Sequence, residues 1–269
     1  MSAPFQIAAQ GRSVSPSGKV LVDVDDGLIT ITMNRPEVRN AVDRDLSHEV
    51  CAAIDHLDAV ADLRVGILTG AGGDFCSGMD LKAFVRGEVV RVDGRGLLGL
   101  AHTPPVKPLI AAVEGYCLAG GFEATLACDL MTASRSARFG LPEAKRGLAA
   151  AAGGLIRLPR AIPPRIAMEM ALTGDHVDAE LLHRHGLVNV LTEPGGALQA
   201  AVGLARRVVP NAPLSVAASK RVITGQRDWD TREQFDRQAE ITGPVLASHD
   251  AKEGARAFAE KRPAHWTGT

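Results

Sequence analysis

Residues 113–129 read Val113-Glu-Gly-Tyr-Cys-Leu-Ala-Gly-Gly-Phe-Glu-Ala-Thr-Leu-Ala-Cys-Asp129. An apolar run, Leu109 to Val113, leads into this stretch, and a glycine pair, Gly120-Gly121, stands before a helix-forming segment. A strand, a glycine turn and a helix in succession leave backbone N–H groups unpaired at a positive helix end. Glu123 then falls in the first turn of that helix, among Ala124, Leu126 and Ala127. An acid there complements the helix dipole, and it can equally be placed for chemistry.

Outward from this stretch the chain alternates short strands and helices. Lys19–Asp26 and Gly27–Asn34 alternate apolar and polar residues around Asp26-Gly27, a hairpin signal. Asp43 is placed to cap a helix carrying Leu46, Val50, Ala53, Ile54 and Leu57 at helical spacing. Arg64–Thr69, Leu109–Val113, Asp129–Ala133, Ala137–Leu141 and Leu187–Leu191 read as strands, and residues 86–104 as a variable loop or short helix. Pro163-Pro164 starts a helix that Gly174 stops, and Asp178–His185 is another. From Gly196 onward only helices are expected, over about 197–209, 214–225, 231–247 and 250–260. This predicts an α/β fold in three parts: a flexible leader at 1–18, strand-strand-helix units over 19–195, and a helical region over 196–269.

The 269 residues suffice for one sizeable core with an appended piece. With 46% apolar and 23% charged residues, the composition is that of a soluble globular protein. A net charge of -1 gives no global attraction to nucleic acid or anionic membrane. No apolar run reaches membrane-span length, and the N-terminus lacks the apolar core of a signal peptide. Cys51, Cys76, Cys117 and Cys128 are scattered without a C-x-x-C pair, which predicts a reducing, cytoplasmic setting.

A second glycine-rich turn, Gly70-Ala-Gly-Gly-Asp-Phe-Cys-Ser-Gly-Met-Asp-Leu81, also follows a strand. It fails as a dinucleotide fingerprint, because Phe75 takes the third glycine position and no acid follows at the right distance. What remains is a backbone able to approach a ligand near Ser77-Gly78, or a tight loop with no ligand. Two such turns on neighbouring strands can aim two N–H groups at one oxygen, an arrangement that stabilises an enolate. A second acid, Glu143, follows a strand in Phe139-Gly-Leu-Pro-Glu143; by itself it is also an ordinary turn acid beside Lys145 or Arg146. Cys76 has no histidine partner in pattern and reads as a packed thiol. His183 and His185, with no third ligand near, read as helix-end charges rather than a metal site. No G-x-S-x-G elbow is present, which argues against a serine hydrolase.

Taken together, the motifs resemble the crotonase (enoyl-CoA hydratase) superfamily, from about Val20 to Trp266. In order they are Asn34-Arg35-Pro36 with Asn40-Ala41, Phe75–Leu81, the opening stretch, Phe139–Glu143, Gly153-Gly154 and Ala257–Arg262. The resemblance implies a spiral of ββα units whose C-terminal helices build a trimer or a dimer of trimers and close over CoA. It implies an acyl-CoA thioester held by the backbone N–H groups of Ser77 and Gly120, with Glu123 and Glu143 over the Cα–Cβ bond. Arg39, Gly78, Met79, Asp80, Lys82, Phe258 and Lys261 become CoA contacts. No metal and no separate cofactor is implied, since coenzyme A is part of the substrate.

The implied reaction is reversible addition of water to a 2,3-enoyl-CoA, giving a 3-hydroxyacyl-CoA. One carboxylate orients and deprotonates water while the other handles the Cα proton. The alternatives are a carnitinyl-CoA dehydratase, another crotonase-type acyl-CoA enzyme, or a non-catalytic acyl-CoA-binding member. Leu141–Lys145, Arg157–Arg160, Ile162–Pro164 and Leu172–Gly174 are similar to carnitinyl-CoA dehydratases. Leu148-Ala-Ala-Ala-Ala152 departs from them, lacking the proline and polar group usual there, which speaks against a carnitine-like cationic substrate.

Overall fold

The computed structural model describes residues 5–269. The chain runs β1 (Gly11–Val14), β2 (Val20–Asp25), β3 (Leu28–Met33), α1 (Arg44–Ala59), β4 (Val65–Gly70), α2 (Leu81–Val85), β5 (Arg91–Val92) and β6 (Gly96–Leu97). It continues β7 (Leu109–Val113), β8 (Tyr116–Leu118), α3 (Gly120–Thr125), β9 (Leu130–Ser134), β10 (Arg138–Gly140), α4 (Gly154–Ala161), α5 (Pro164–Thr173), β11 (Val177–Asp178) and α6 (Ala179–Arg184). It closes with β12 (Val190–Thr192), α7 (Ala197–Val208), α8 (Pro213–Gly225), α9 (Gln234–Ala247) and α10 (His249–Glu260).

Seven strands form one sheet in the order β1-β2-β3-β4-β7-β9-β12, antiparallel up to β3 and parallel from β3 onward. Asp26 and Gly27 both take positive φ, the requirement of the hairpin turn read from the sequence. The parallel strands are buried on both faces. Val65, Ile67, Ile110 and Ala112 pack against Ala201 and Ala205 of α7, while Leu68, Leu109 and Ala111 face the larger core that holds Ile54 and Leu57 of α1.

A second strand layer runs beside the sheet. β8 pairs in parallel with β10, and β10 pairs with β11. Bridges Cys76–Cys117 and Val42–Met79 extend this layer toward α1. Each turn of the spiral thus places one strand in the main sheet, one in the second layer, then a helix: β7, β8 and α3 are the clearest unit.

Three expectations change. Of the leader at 1–18, residues 1–4 lie outside the described residues, but Gly11–Val14 is an edge strand paired with β2 and tied by Arg12 to Asp23. The segment 86–104 is a small β5–β6 hairpin, not a short helix. Helix α4, which escaped the sequence reading, starts at Gly154 with Gly153 as its N-cap and contains Pro159.

Asn40 locks the Gly70–Asp80 turn to the sheet. It is 0% exposed, takes positive φ, accepts from Arg35 N–H and donates to the Ala71 and Asp74 carbonyls. Asn40→Ala removes these contacts and leaves buried partners unpaired. Urea unfolding should show a loss of about 3 kcal/mol, whereas a loss below about 0.5 kcal/mol would mean that the turn is held elsewhere.

Candidate active site

The two glycine-rich turns touch. A Cβ placed on Gly78 would lie 2.6 Å from Ala119 Cβ and 3.3 Å from Gly120 N, and Gly78 has φ +97. Glycine is what both the conformation and the approach require. Ala119 takes φ 49 and ψ -129, a strained backbone for alanine, and its N–H donates to Gly140 in β10 at 2.9 Å. Gly120 follows as the first residue of α3, and among the described residues its N–H has no partner.

Ser77 does not supply the facing N–H. Its N–H donates to the Arg39 carbonyl at 2.9 Å. The Gly78 N–H is directed at Cys76 Sγ, 3.4 Å away. Val42 then bridges the next pair, donating to Gly78 O at 2.8 Å and accepting from Asp80 N at 2.9 Å. In a parallel bridge the residue between those two partners turns its own N–H to the opposite side. That residue is Met79, and among the described residues its N–H has no acceptor. The open backbone donors are therefore Met79 and Gly120. Sequence reasoning missed Met79 because the assignment depends on which strand pairs with Val42.

Both predicted carboxylates converge on one apolar region. Glu123 is 3% exposed, and its Oε1 accepts from Ala152 N and Gly154 N, each at 2.8 Å. Gly154 packs closely on this acid: a Cβ there would meet Glu123 Cγ at 3.0 Å and Leu141 Cδ2 at 3.2 Å, so a larger residue would press on the carboxylate's stem. Leu141 lies two residues before Glu143, which sits in a 3₁₀ turn over Pro142–Arg146. Phe122 and Phe139 pack edge to face at 5.4 Å and fix α3 against β10. Leu97 of β6 covers Gly120, and Ala150 is buried.

Hydrogen bonding separates the two acids. Burial raises the Glu123 carboxyl above its ordinary value, while the Gly154 and Ala152 N–H groups and the Arg157 charge pull it back. Burial pushes Glu143 up to about 7, the Glu123 charge adds to this, and its own backbone N–H and Arg146 oppose it. Glu143 Oε2 is buried without a hydrogen-bond partner. Donors thus favour the charged form at Glu123, while burial and the Glu123 charge favour the neutral form at Glu143.

The remaining predicted contacts divide. Arg39 is exposed, lies 4.9 Å over the Tyr116 ring and 3.7 Å from Asp74. Lys82 is exposed on α2 beside the Met79 turn. The Asp80 carboxylate is engaged in capping α2 and pairing with Arg35 at 3.2 Å. Burial raises it, but the Ala83 and Lys82 N–H groups and Arg35 outweigh that and hold it below its usual value. The structure does not bring Phe258 or Lys261 to the carboxylates. Phe258 is 88% exposed, Lys261 ends α10 in the left-handed conformation, and α10 packs on α9. Cys76 is a buried thiol raised to about 12 by burial, as expected of a packing residue.

Fold and site together define a crotonase-type α/β spiral. The chain belongs to the Enoyl-CoA hydratase/isomerase family, whose profile matches residues 23–269. It is 41% identical to a carnitinyl-CoA dehydratase of Salmonella arizonae, over 90% of this chain and 95% of that protein. It is 40% identical to the enoyl-CoA hydratase EchA19 of Mycobacterium tuberculosis, over 93% of this chain and 97% of that protein. Among solved structures, the enoyl-CoA hydratase EchA1 of Mycobacterium marinum superposes with a TM-score of 0.91 at 58% identity, over 93% of this chain and 99% of that one.

The raised Glu143 carboxyl has a consequence for stability. A folded-state value near 7 means that the native protein keeps a proton which the unfolded chain releases in the ordinary glutamate range. That stabilisation is complete below the ordinary range and is lost as pH rises through about 7. Glu143→Gln carries no such loss. Its melting temperature should exceed that of the wild type by more at about pH 8 than at about pH 5; a difference independent of pH would show that Glu143 is not raised.

Proposed function

We propose that this protein is an enoyl-CoA hydratase acting on an enoyl chain without a cationic end group. The observation that carries the proposal is the unlike pair of glutamates in one apolar region, one gripped by two N–H groups and the other bare. In the proposed reaction the thioester oxygen accepts from the Met79 and Gly120 N–H groups, which take up negative charge as the Cα–Cβ bond is polarised. Ionised Glu123 orients a water and removes its proton as the oxygen bonds to Cβ. Protonated Glu143 delivers its proton to Cα. The product gains a hydroxyl and a hydrogen, and a proton passing from Glu123 to Glu143 resets the pair. Every step is proton transfer or nucleophilic addition, so the proposal needs no cofactor apart from the CoA carried by the substrate. Arg39 and Lys82, both exposed beside the Ser77–Asp80 turn, are proposed to meet the CoA phosphates.

The C-terminal helices support assembly of several copies. None of the residues of α9 is buried in the single chain, and Phe235 and Leu246 stand more than two-thirds exposed. In an assembled trimer Phe258 and Lys261 are proposed to reach a CoA site. No helix among the described residues is long and apolar enough to cross a membrane.

A second reading, a carnitinyl-CoA dehydratase, is favoured by the 41% identity to that enzyme. Against it stands the wall Leu148–Ala152, which offers a trimethylammonium group neither a carboxylate nor an aromatic face.

Loss of the conjugated enoyl-thioester absorbance tests both readings. Crotonyl-CoA should turn over and crotonobetainyl-CoA should not. Glu123→Gln should lower kcat by about 10²–10⁴-fold. Hydration should slow as pH rises through about 7, where Glu143 loses the proton it must deliver. No turnover with any enoyl-CoA would overturn the proposal, and preference for crotonobetainyl-CoA would favour the second reading.

A further inference from the structure

The grip on Glu123 comes from a turn that must itself be held. Ala152 N and Gly154 N converge on a single oxygen because Gly153, between them, has φ +103. Arg157 stands one turn further along α4 and donates its own N–H to Gly153 O at 2.9 Å. Its side chain folds back onto the same residue, so that a Cβ on Gly153 would lie 2.2 Å from Arg157 Nη1. The guanidinium therefore fills the space that the missing side chain leaves. It is half-buried, and among the described residues it forms no ion pair and no side-chain hydrogen bond. A half-buried, unpaired cation is unfavourable unless a nearby anion offsets its desolvation. The acid whose charge acts on it most is Glu123; Cys128 and Arg160 are the other ionisable groups that it feels.

Among the described residues, no other positive charge acts on Glu123. From the 3₁₀ turn after β10 it faces Glu143, an acid. From β8 and the Phe75–Asp80 loop the groups against α3 are the thiols of Cys117 and Cys76, both held neutral by burial. Among the described residues, Arg157 on α4 is the one cation that acts on Glu123.

We infer that Arg157 is the positioning residue for Glu123: seated on Gly153, its guanidinium holds the Ala152–Gly154 turn against the carboxylate and keeps that carboxylate ionised. This rests on the hydratase reading, in which ionised Glu123 activates water. Arg157 does not touch the substrate in this assignment. It acts on the charge state and placement of the group that does.

The test is the pH dependence of kcat/KM for enoyl-CoA hydration in the full-length protein. Arg157→Met and Arg157→Gln should move the acidic limb up by about one pH unit. Activity should recover between the shifted acidic limb and the fall at about pH 7, with KM within about twofold of the wild type. Arg157→Lys keeps the charge and should leave the limb close to the wild-type position. An unmoved limb with activity lowered equally at every pH would reduce Arg157 to a structural role and overturn the inference. So would an Arg157→Lys variant as shifted as Arg157→Met. Should neither neutral variant fold by circular dichroism, Arg157→Ala removes the charge and leaves room for water in its place. The same upward movement then supports the inference, and an unmoved limb overturns it. Glu123→Gln separates the two levels. If it retains full activity, the reading of Glu123 itself fails, whatever the Arg157 variants do.

Discussion

Two backbone N–H groups on one carboxylate oxygen set the character of this site. Glu123 is nearly inaccessible to water, and an unsupported carboxylate in that position would take up a proton. Ala152 and Gly154 donate to its Oε1 at 2.8 Å and make ionisation tolerable. Glu143, with a buried oxygen that receives nothing, is left on the opposite side of the same balance. Two glutamates of identical chemistry thus come to differ through the unequal placement of backbone donors, and the proposed division into base and acid rests on that difference.

The fold exists, in functional terms, to bring four chain segments to one place. The parallel sheet carries β4 and β7 side by side, and each delivers a glycine-rich turn at the same edge. The second strand layer sets Cys76 against Cys117 and β8 against β10, so the turns at Met79 and Gly120 and the segment leading to Glu143 adopt fixed positions. Helix α4 closes the arrangement from behind through Gly153-Gly154. Asn40 and Arg35 anchor the first turn from the hairpin side. No one of these segments has a functional geometry alone.

Much of this was legible in the sequence, for identifiable reasons. The β2–β3 hairpin announced itself through alternation around Asp26-Gly27, and α1, α5 and α7 through helical spacing and caps. The glutamate pair was legible through the family resemblance that six short motifs carry when taken in order, since each acid alone is also an ordinary turn or helix-end acid. Other features rest on pairings that local sequence does not encode. The strand at Gly11–Val14 reads Gly-Arg-Ser-Val, with no apolar alternation, and exists because β2 offers an edge. Helix α4 starts at Gly154 behind Gly153 and contains Pro159, so local propensity speaks against it, yet its first residue is one of the two that grip Glu123. The open N–H was assigned to Ser77 by motif position, whereas the bridge between Val42 and Met79 shifts it by two residues. Arg157 stood in the sequence only as part of the similarity to carnitinyl-CoA dehydratases, because its seat depends on the positive φ of Gly153, which local sequence does not encode.

Infrared difference spectra across pH report the two carboxyl groups most directly, with Glu123→Gln and Glu143→Gln used to assign the bands. A protonated carboxyl band that persists at mildly acidic pH, fades as pH rises through about 7 and is absent from Glu143→Gln is the expected result. A band assigned instead to Glu123, or two glutamates that ionise together in the ordinary carboxylate range, would contradict the division of the pair into base and acid.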